Sequence, residues 1–210
     1  IGHQKVQMKF FNASDVLLQA VNENQLLATQ KGIRLFLSEV LSVESVQNEN
    51  HFRIYADRSL VLEALRNLIT NAIKFCKQGD FIEVGFQKSS DRLHLSVSDN
   101  GAGISEATIW QIKGVGSVAS TNGSNGEKGT GLGLSLVKEI MSLHLGTLEI
   151  SSTLGKGSLF TLAFPLVIPK ILIVDVDSQT RGWLCESLVE SAYDIHVVQT
   201  CKHALDFVAK

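Results

Sequence analysis

Residues 129–137 constrain this chain more than any other stretch. Gly129, Gly131 and Gly133 alternate with Thr130 and Leu132, and Leu134 follows. They run directly into a helical pattern of apolar residues, Leu132, Leu136, Val137, Ile140 and Met141. Glycine lets a backbone come close to a ligand. A helix N-terminus carries unpaired N–H groups and a partial positive charge. Together they make an anion site, most often for phosphate; taken alone the glycines fit a flexible loop before an ordinary core helix equally well, and two stretches upstream tip the balance.

A second stretch lies upstream, in a helix expected over 58–76 and capped by Asp57. Leu62, Leu65, Leu68, Ile69 and Ile73 form its apolar face. Asn67, Asn71 and Lys74 fall at i, i+4 and i+7, along one side. Asparagine is a mediocre helix former, so helix propensity does not explain the stripe. An amide oxygen suits Mg²⁺ and a lysine suits phosphate; the alternative is a solvated helix face, though such faces usually carry Glu and Lys. The third stretch is Asp99, Asn100, Gly101, Ala102, Gly103 and Ile104, an acid at the end of an alternating strand followed by two glycines. By itself it reads first as a tight turn; the alternative is a carboxylate that accepts a hydrogen bond from a ligand amino group, with glycines making room for a flat ring.

The remaining pattern is α/β. A helix is expected from Asn12 or Ser14 to Gln30, with Val16, Leu17, Ala20, Val21 and Leu27 inward and Gly32 ending it. Strands are expected at 33–40, 52–55, 81–86, 93–97, 147–152 and 158–166, with polar loop over 41–51. Ser105 caps a short helix, and a Gly-rich polar loop follows over 114–128. Within that loop Gly114, Gly116 and Ala119 match a dinucleotide pattern, but the residues that follow will not form the helix it needs. After Pro165 and Pro169 the composition shifts. Lys170–Val174 is a continuous apolar strand pattern, with Asp175 and Asp177 at its carboxyl end, and helix, strand and helix follow, the start of a doubly wound β-α-β-α unit.

Composition excludes several classes. A net charge of −2 leaves no electrostatic footprint for nucleic acid. Three dispersed cysteines make neither a zinc site nor a disulfide framework, and they fit a reducing, cytoplasmic setting. The six histidines show no metal-ligand spacing and read as surface or packing residues. No transmembrane helix or signal peptide is evident, so no direct membrane contact is expected. The chain lacks an initiator Met and stops within a helical pattern, as expected of a piece of a longer protein.

The three stretches, in this order and spacing, resemble the ATP-binding catalytic domain of sensor histidine kinases, within the gyrase/histidine-kinase superfamily with the Bergerat fold. Residues 67–75 resemble its N box, 99–104 its G1 box, 129–134 its G2 box and Gly155–Ser158 its G3 turn. Residues 170–210 resemble the opening of a response-regulator receiver domain, which together imply a hybrid histidine kinase in two-component phosphorelay signalling. The resemblance implies a two-layer α/β sandwich with a mixed sheet over 10–166, a linker at 167–169, an incomplete receiver over 170–210, and residues 1–9 as the tail of a phosphoacceptor hairpin. It implies ATP and Mg²⁺ as cofactors. Asp99 would bind the adenine amino group, with Gly101, Gly103 and Ile104 around the ring. Asn71 and Asn67 would hold Mg²⁺, and Lys74 would contact phosphate. Gly129, Thr130, Gly131, Leu132, Gly133 and Leu134 would wrap the phosphates, Thr161 would join the nucleotide site, and 114–128 would form the lid.

Departures from the family pattern shape the functional expectation. The position of Asn67 is a water-activating glutamate in gyrase-like ATPases, and an amide cannot act as a general base. Phosphoryl transfer to a protein is therefore expected over hydrolysis. No histidine here has the context of the phosphoacceptor, so the receiving histidine lies outside these residues. The partners expected are a phosphoacceptor hairpin and a receiver or response regulator. The family's phenylalanine motif before the lid is replaced by Ile109, Trp110, Gln111 and Ile112, with Trp110 taking the packing role. Val176 interrupts the receiver's acids. A degenerate kinase that signals by docking is the alternative enzyme-free reading, and a gyrase-type ATPase is a third, disfavoured by Asn67.

Overall fold

Strand alternation builds the first unit. Along Arg92–Asp99 every second residue, Leu93, Leu95, Val97 and Asp99, is buried, while His94, Ser96 and Ser98 face the other way. The computed structural model describes residues 6–38, 53–114, 132–188 and 193–209. The expected loop at 41–51, nearly all of the expected lid, and Gly129, Thr130 and Gly131 lie outside them. Two units divide the chain, Ile1–Leu166 and Val167–Lys210.

In the first unit the order is β1 (Lys9–Asn12), α1 (Ala13–Gln30), β2 (Arg34–Leu37), β3 (Arg53–Ala56), α2 (Arg58–Phe75), β4 (Phe81–Lys88), β5 (Arg92–Asp99), α3 (Glu106–Lys113), α4 (Gly133–Leu143), β6 (Thr147–Thr153) and β7 (Gly157–Pro165). Five strands form a mixed sheet in the order β2-β4-β5-β7-β6, parallel between β2 and β4 and antiparallel elsewhere. β1 and β3 pair as a separate antiparallel ribbon. One sheet face contributes Ile82, Val84, Leu93, Leu95, Val97, Phe160, Leu162 and Phe164 to a core completed by α1, α2 and α4. The result is the expected two-layer α/β arrangement with a mixed sheet.

The helices stop and start where local chemistry dictates. Asp57 caps α2, accepting from the backbone N–H groups of Ser59 and Leu60. Lys31 Nζ donates to the carbonyls of Ile73 and Lys74, satisfying the other end. Gly32, at φ 71°, turns the chain out of α1. Asn12 occupies the N-cap position of α1 without a side-chain cap bond. Leu27 departs from expectation: it is 47% exposed, and Ala13, Asn24 and Ala28 are buried instead. Leu18 and Leu26 are exposed as well, so the buried stripe of α1 is narrower than its apolar composition suggests. The ribbon strand β1 also has no counterpart in the sequence pattern, since four residues are too few to show a period.

In the second unit β8 (Lys170–Val174) and β9 (Asp194–Val198) pair in parallel, with α5 (Ser178–Leu188) between them and α6 (Cys201–Val208) after them. Asp177 caps α5. Hydrogen bonds from Thr180 hold its carboxyl below the usual carboxylate value. Asp175 Oδ1 accepts from the Asp177 N–H. Among the described residues no helix is long and apolar enough to cross a membrane.

Among the described residues one non-glycine position has a left-handed backbone. Leu145, after α4, has φ 54° and is 83% exposed. The left-handed region costs an L-residue about 1–2 kcal/mol, and glycine's extra unfolded-state freedom offsets about half of that. Leu145→Gly is expected to stabilise the protein by about 0.5 kcal/mol in chemical denaturation. A loss of stability would show that Leu145 makes a contact worth more than its strain.

Candidate functional site

The site grows from α2, which buries Val61, Leu62, Ala64, Leu65, Leu68, Ile69, Ala72 and Ile73 and leaves Asn67, Asn71 and Lys74 half-buried along one edge. Asn67 Nδ2 donates to the Glu63 carbonyl at 2.9 Å. Its Oδ1 faces the first residue of α4. A Cβ placed on Gly133 would lie 2.9 Å from Asn67 Oδ1 and 3.7 Å from Asn71 Nδ2. The start of α4 therefore lies against both amides, and a side chain at Gly133 would have to displace the Asn67 amide. Leu132 beside it is exposed, and Leu134 packs against the core.

The Asp99 loop meets the other end of the same stripe. Ala102 N–H donates to the Phe75 carbonyl at 3.4 Å, and a Cβ on Gly101 would lie 2.9 Å from that oxygen and 3.0 Å from Cys76 Sγ. Asn71 and Phe75 are one helical turn apart, about 6 Å along the axis. An acid, a polar stripe ending in Lys74, and a helix N-terminus are thus brought to one edge of one helix. Lys74 Nζ sits 5.0 Å over the Phe75 ring.

Asp99 is buried, and that burial raises its carboxyl above the ordinary value of 3.8, against the lowering effect of N–H groups from Gly101 and Ser158. The Gly101 bond to Oδ1 is 2.9 Å. Burial beside Asp99 pushes the Cys76 thiol up to about 12, so Cys76 is a neutral wall of the site. The loop is held from behind by the β6–β7 turn. Gly155 N–H donates to Ala102 O at 2.7 Å, and Ile104 N–H to Ser152 Oγ at 2.8 Å. Gly103, at φ 68°, and Gly157, at φ 107°, have no room for a side chain: a Cβ on either would overlap the backbone of Thr153 or Asp99 respectively. The chain's own packing already accounts for both Gly101 and Gly103.

Thr161 is not brought to this site. It pairs with Ser96 and Glu149, while Ser158 pairs with Asp99. Three residues along a strand is an odd step, so Thr161 faces the opposite side of the sheet. Ser158, which sequence patterning passed over, holds the position beside Asp99. Its signal was the register set by the turn glycine before it. Trp110 does not take a packing role either: it is 77% exposed, and Ile112 is the buried residue of α3. Lys138 was also unmarked. Its Nζ donates to the carbonyls of Ile112 and Gly114, tying α4 to the end of α3. Among the described residues no group of three or more His, Cys, Asp or Glu is placed to hold a metal ion. A cation here would depend on amide oxygens and on ligand phosphates.

A family described as histidine kinase-, DNA gyrase B- and HSP90-like ATPase matches residues 56–168, just over half of the chain. The chain belongs to this family. The circadian input-output histidine kinase CikA of Synechococcus elongatus is 28% identical over 222 residues, covering 98% of this chain and 28% of the relative. The solved catalytic domain of histidine kinase ThkA matches with TM-score 0.60 at 22% identity, covering 76% of this chain and 95% of that one; ThkA is also solved in complex with the response regulator TrrA. Full-length ShkA in complex with AMPPNP matches with TM-score 0.62 at 18% identity, over 97% of this chain and 43% of that one. These structural likenesses establish the fold. The chain spans 22% to 37% of the length of the first curated relatives it matches. Those relatives are named histidine kinases, and the family domain they share with this chain is the catalytic, ATP-binding part.

Two outcomes follow from the site's electrostatics and packing. Because the folded carboxyl of Asp99 is raised, its contribution to stability is full below about pH 3.8 and is lost as pH rises through the raised value. The stability of Asp99→Asn relative to the native chain should therefore rise as pH increases above about 4, measured by denaturation midpoints; a flat difference would contradict the burial. Gly157→Ala should cost more than about 3 kcal/mol in denaturant unfolding, since both its φ and its contact with Asp99 forbid a side chain. A loss under about 1 kcal/mol would contradict the close packing of turn and loop.

Proposed function

We propose that the first unit binds Mg-ATP at the edge of α2 and serves as the catalytic part of a hybrid sensor histidine kinase. The γ-phosphoryl group would pass to a histidine outside these residues: the bond from the γ-phosphorus to ADP breaks and a bond to an imidazole nitrogen forms. The observation that carries this reading is the convergence of Asp99, the Asn67–Asn71–Lys74 stripe and the N-terminus of α4 on one helix edge. Asp99 accepts from the adenine amino group, with Gly101, Gly103 and Ile104 lining the ring. The first N–H groups of α4, at Gly133 and Leu134, take phosphate oxygens together with the preceding Gly129–Leu132 segment. Lys74 adds positive charge. Asn71 and Asn67 supply amide oxygens, hard donors that fit Mg²⁺ when phosphates complete the shell. A cation held there would neutralise charge on the transferring group.

Asn67 supports transfer over hydrolysis. Its amide cannot deprotonate water, and its Nδ2 is already committed to Glu63 O. The parallel β8-α5-β9-α6 order supports the second unit as the beginning of a receiver, with Asp175 and Asp177 beyond the carboxyl end of β8. Val176 brings no side-chain oxygen there, and Asp177 is engaged in capping α5. A response regulator and a phosphoacceptor hairpin are the partners of this reading.

Binding of a fluorescent ATP analogue, with and without Mg²⁺, tests it. The native chain should bind more tightly with Mg²⁺. Asp99→Asn should weaken binding by about tenfold to a hundredfold, the worth of one hydrogen bond to a charged group. Asn71→Ala should abolish the Mg²⁺ enhancement. A folded native chain with no affinity would point instead to a docking module, and steady phosphate release without an acceptor protein would point to an ATPase.

A further inference from the structure

The far ends of α2 and α4 are joined by a buried side chain that touches no part of the proposed site. His144 follows the last residue of α4 and is 2% exposed. Its Nε2 accepts the backbone N–H of Asp57 at 2.9 Å, and its Nδ1 lies 2.7 Å from the Ile140 carbonyl. An acceptor at Nε2 fixes the neutral tautomer, with the proton on Nδ1 donated to Ile140 O. The ring also meets Phe164 edge-on at 5.8 Å. Asp57 is the N-cap of α2, so this bond runs from the C-terminal end of α4 to the N-terminal end of α2. Burial opposes ionisation of the Asp57 carboxyl. Hydrogen bonds from Ser59 Oγ and from the N–H groups of Gln7, Leu60 and Ser59 outweigh it and hold the pKa below the ordinary value. The Gln7 bond, 2.8 Å to Oδ2, ties the incoming chain to the same point.

The two helices run antiparallel, and α4 is held against α2 at both of its ends. Asn67 lies ten residues after Asp57 and His144 eleven after Gly133, spans of about 15 and 16 Å at the α-helical rise. At one end α4 touches Asn67 and Asn71 through Gly133. At the other it is bonded to Asp57 through His144. We propose that His144 is a positioning residue for the nucleotide site: by bonding the Asp57 N–H it sets the axial placement of α4, and so the distance between the helix N-terminus that takes phosphates and the amides of α2. Asp99 stands on β5 and does not depend on this bond. Loss of the bond therefore alters phosphate recognition and spares adenine recognition. This inference rests on the nucleotide reading of the site.

The test separates positioning from mere stability by comparing ATP with adenosine on the folded 210-residue chain. His144→Asn keeps a donor near Nδ1 for Ile140 O and loses the reach to Asp57. His144→Gln keeps an acceptor near the position of Nε2. The Asn variant is expected to bind ATP about tenfold more weakly, the change that one buried hydrogen bond is worth, with adenosine affinity unchanged. The Gln variant is expected to retain the native ratio of the two affinities. Equal weakening of ATP and adenosine by the Asn variant, or native affinity for both, would overturn the proposal. If the Asn variant does not fold, the Gln variant decides: a retained ratio upholds the proposal and a lost one overturns it. A native chain that binds neither ligand would instead overturn the nucleotide reading itself.

Discussion

Helix α2 must bury one face against α1 and the sheet while keeping an amide-bearing edge in reach of two neighbours, and every part of the site is placed by that division. Its buried face is continuous from Val61 to Ile73, which fixes its rotation. With the rotation fixed, Asn67 and Asn71 can only face α4, and Phe75 and Cys76 can only meet the Asp99 loop. Gly133 and Gly101 are contacts at which the neighbours close in: a methyl group at Gly101 would run into the Phe75 carbonyl, and one at Gly133 would push on the Asn67 amide.

Around this helix the polar groups are arranged so that burial costs little. Asp99 has N–H donors from Gly101 and Ser158. Asp57 has four donors and also lends its N–H to His144. Both ends of α2 are capped, the first by its own N-cap residue Asp57 and the last by Lys31 from the end of α1. The hairpin β6–β7 adds a second support, with Gly103 and Gly157 letting turn and loop lie backbone to backbone. A buried acid held by a stiff support is a fixed acceptor, and a fixed acceptor can discriminate between ligand amino groups.

Much of this was legible in the sequence because it is local. The 3.6-residue period of 62–73, the cap at Asp57, the alternation of 93–97 and the glycine after α1 each depend on neighbours in sequence, and the structure has them where the pattern places them. The misses are long-range. Thr161 and Ser158 differ only in strand register, which is set by pairing with β5 and not by their own neighbourhood. Leu27 and Trp110 are apolar at positions the tertiary packing leaves exposed. The role of His144 depends on Asp57, 87 residues away, and a scattered histidine carries no signal of that partnership.

The most direct test of the central claim is to map ATP onto the ¹⁵N-labelled chain by amide chemical-shift perturbation. Shifts are expected to concentrate at Gly101, at the side-chain amides of Asn67 and Asn71, and at Gly133 and Leu134, with Ser96 and Thr161 on the opposite sheet face unmoved. Shifts centred on that opposite face, with the edge of α2 silent, would contradict it.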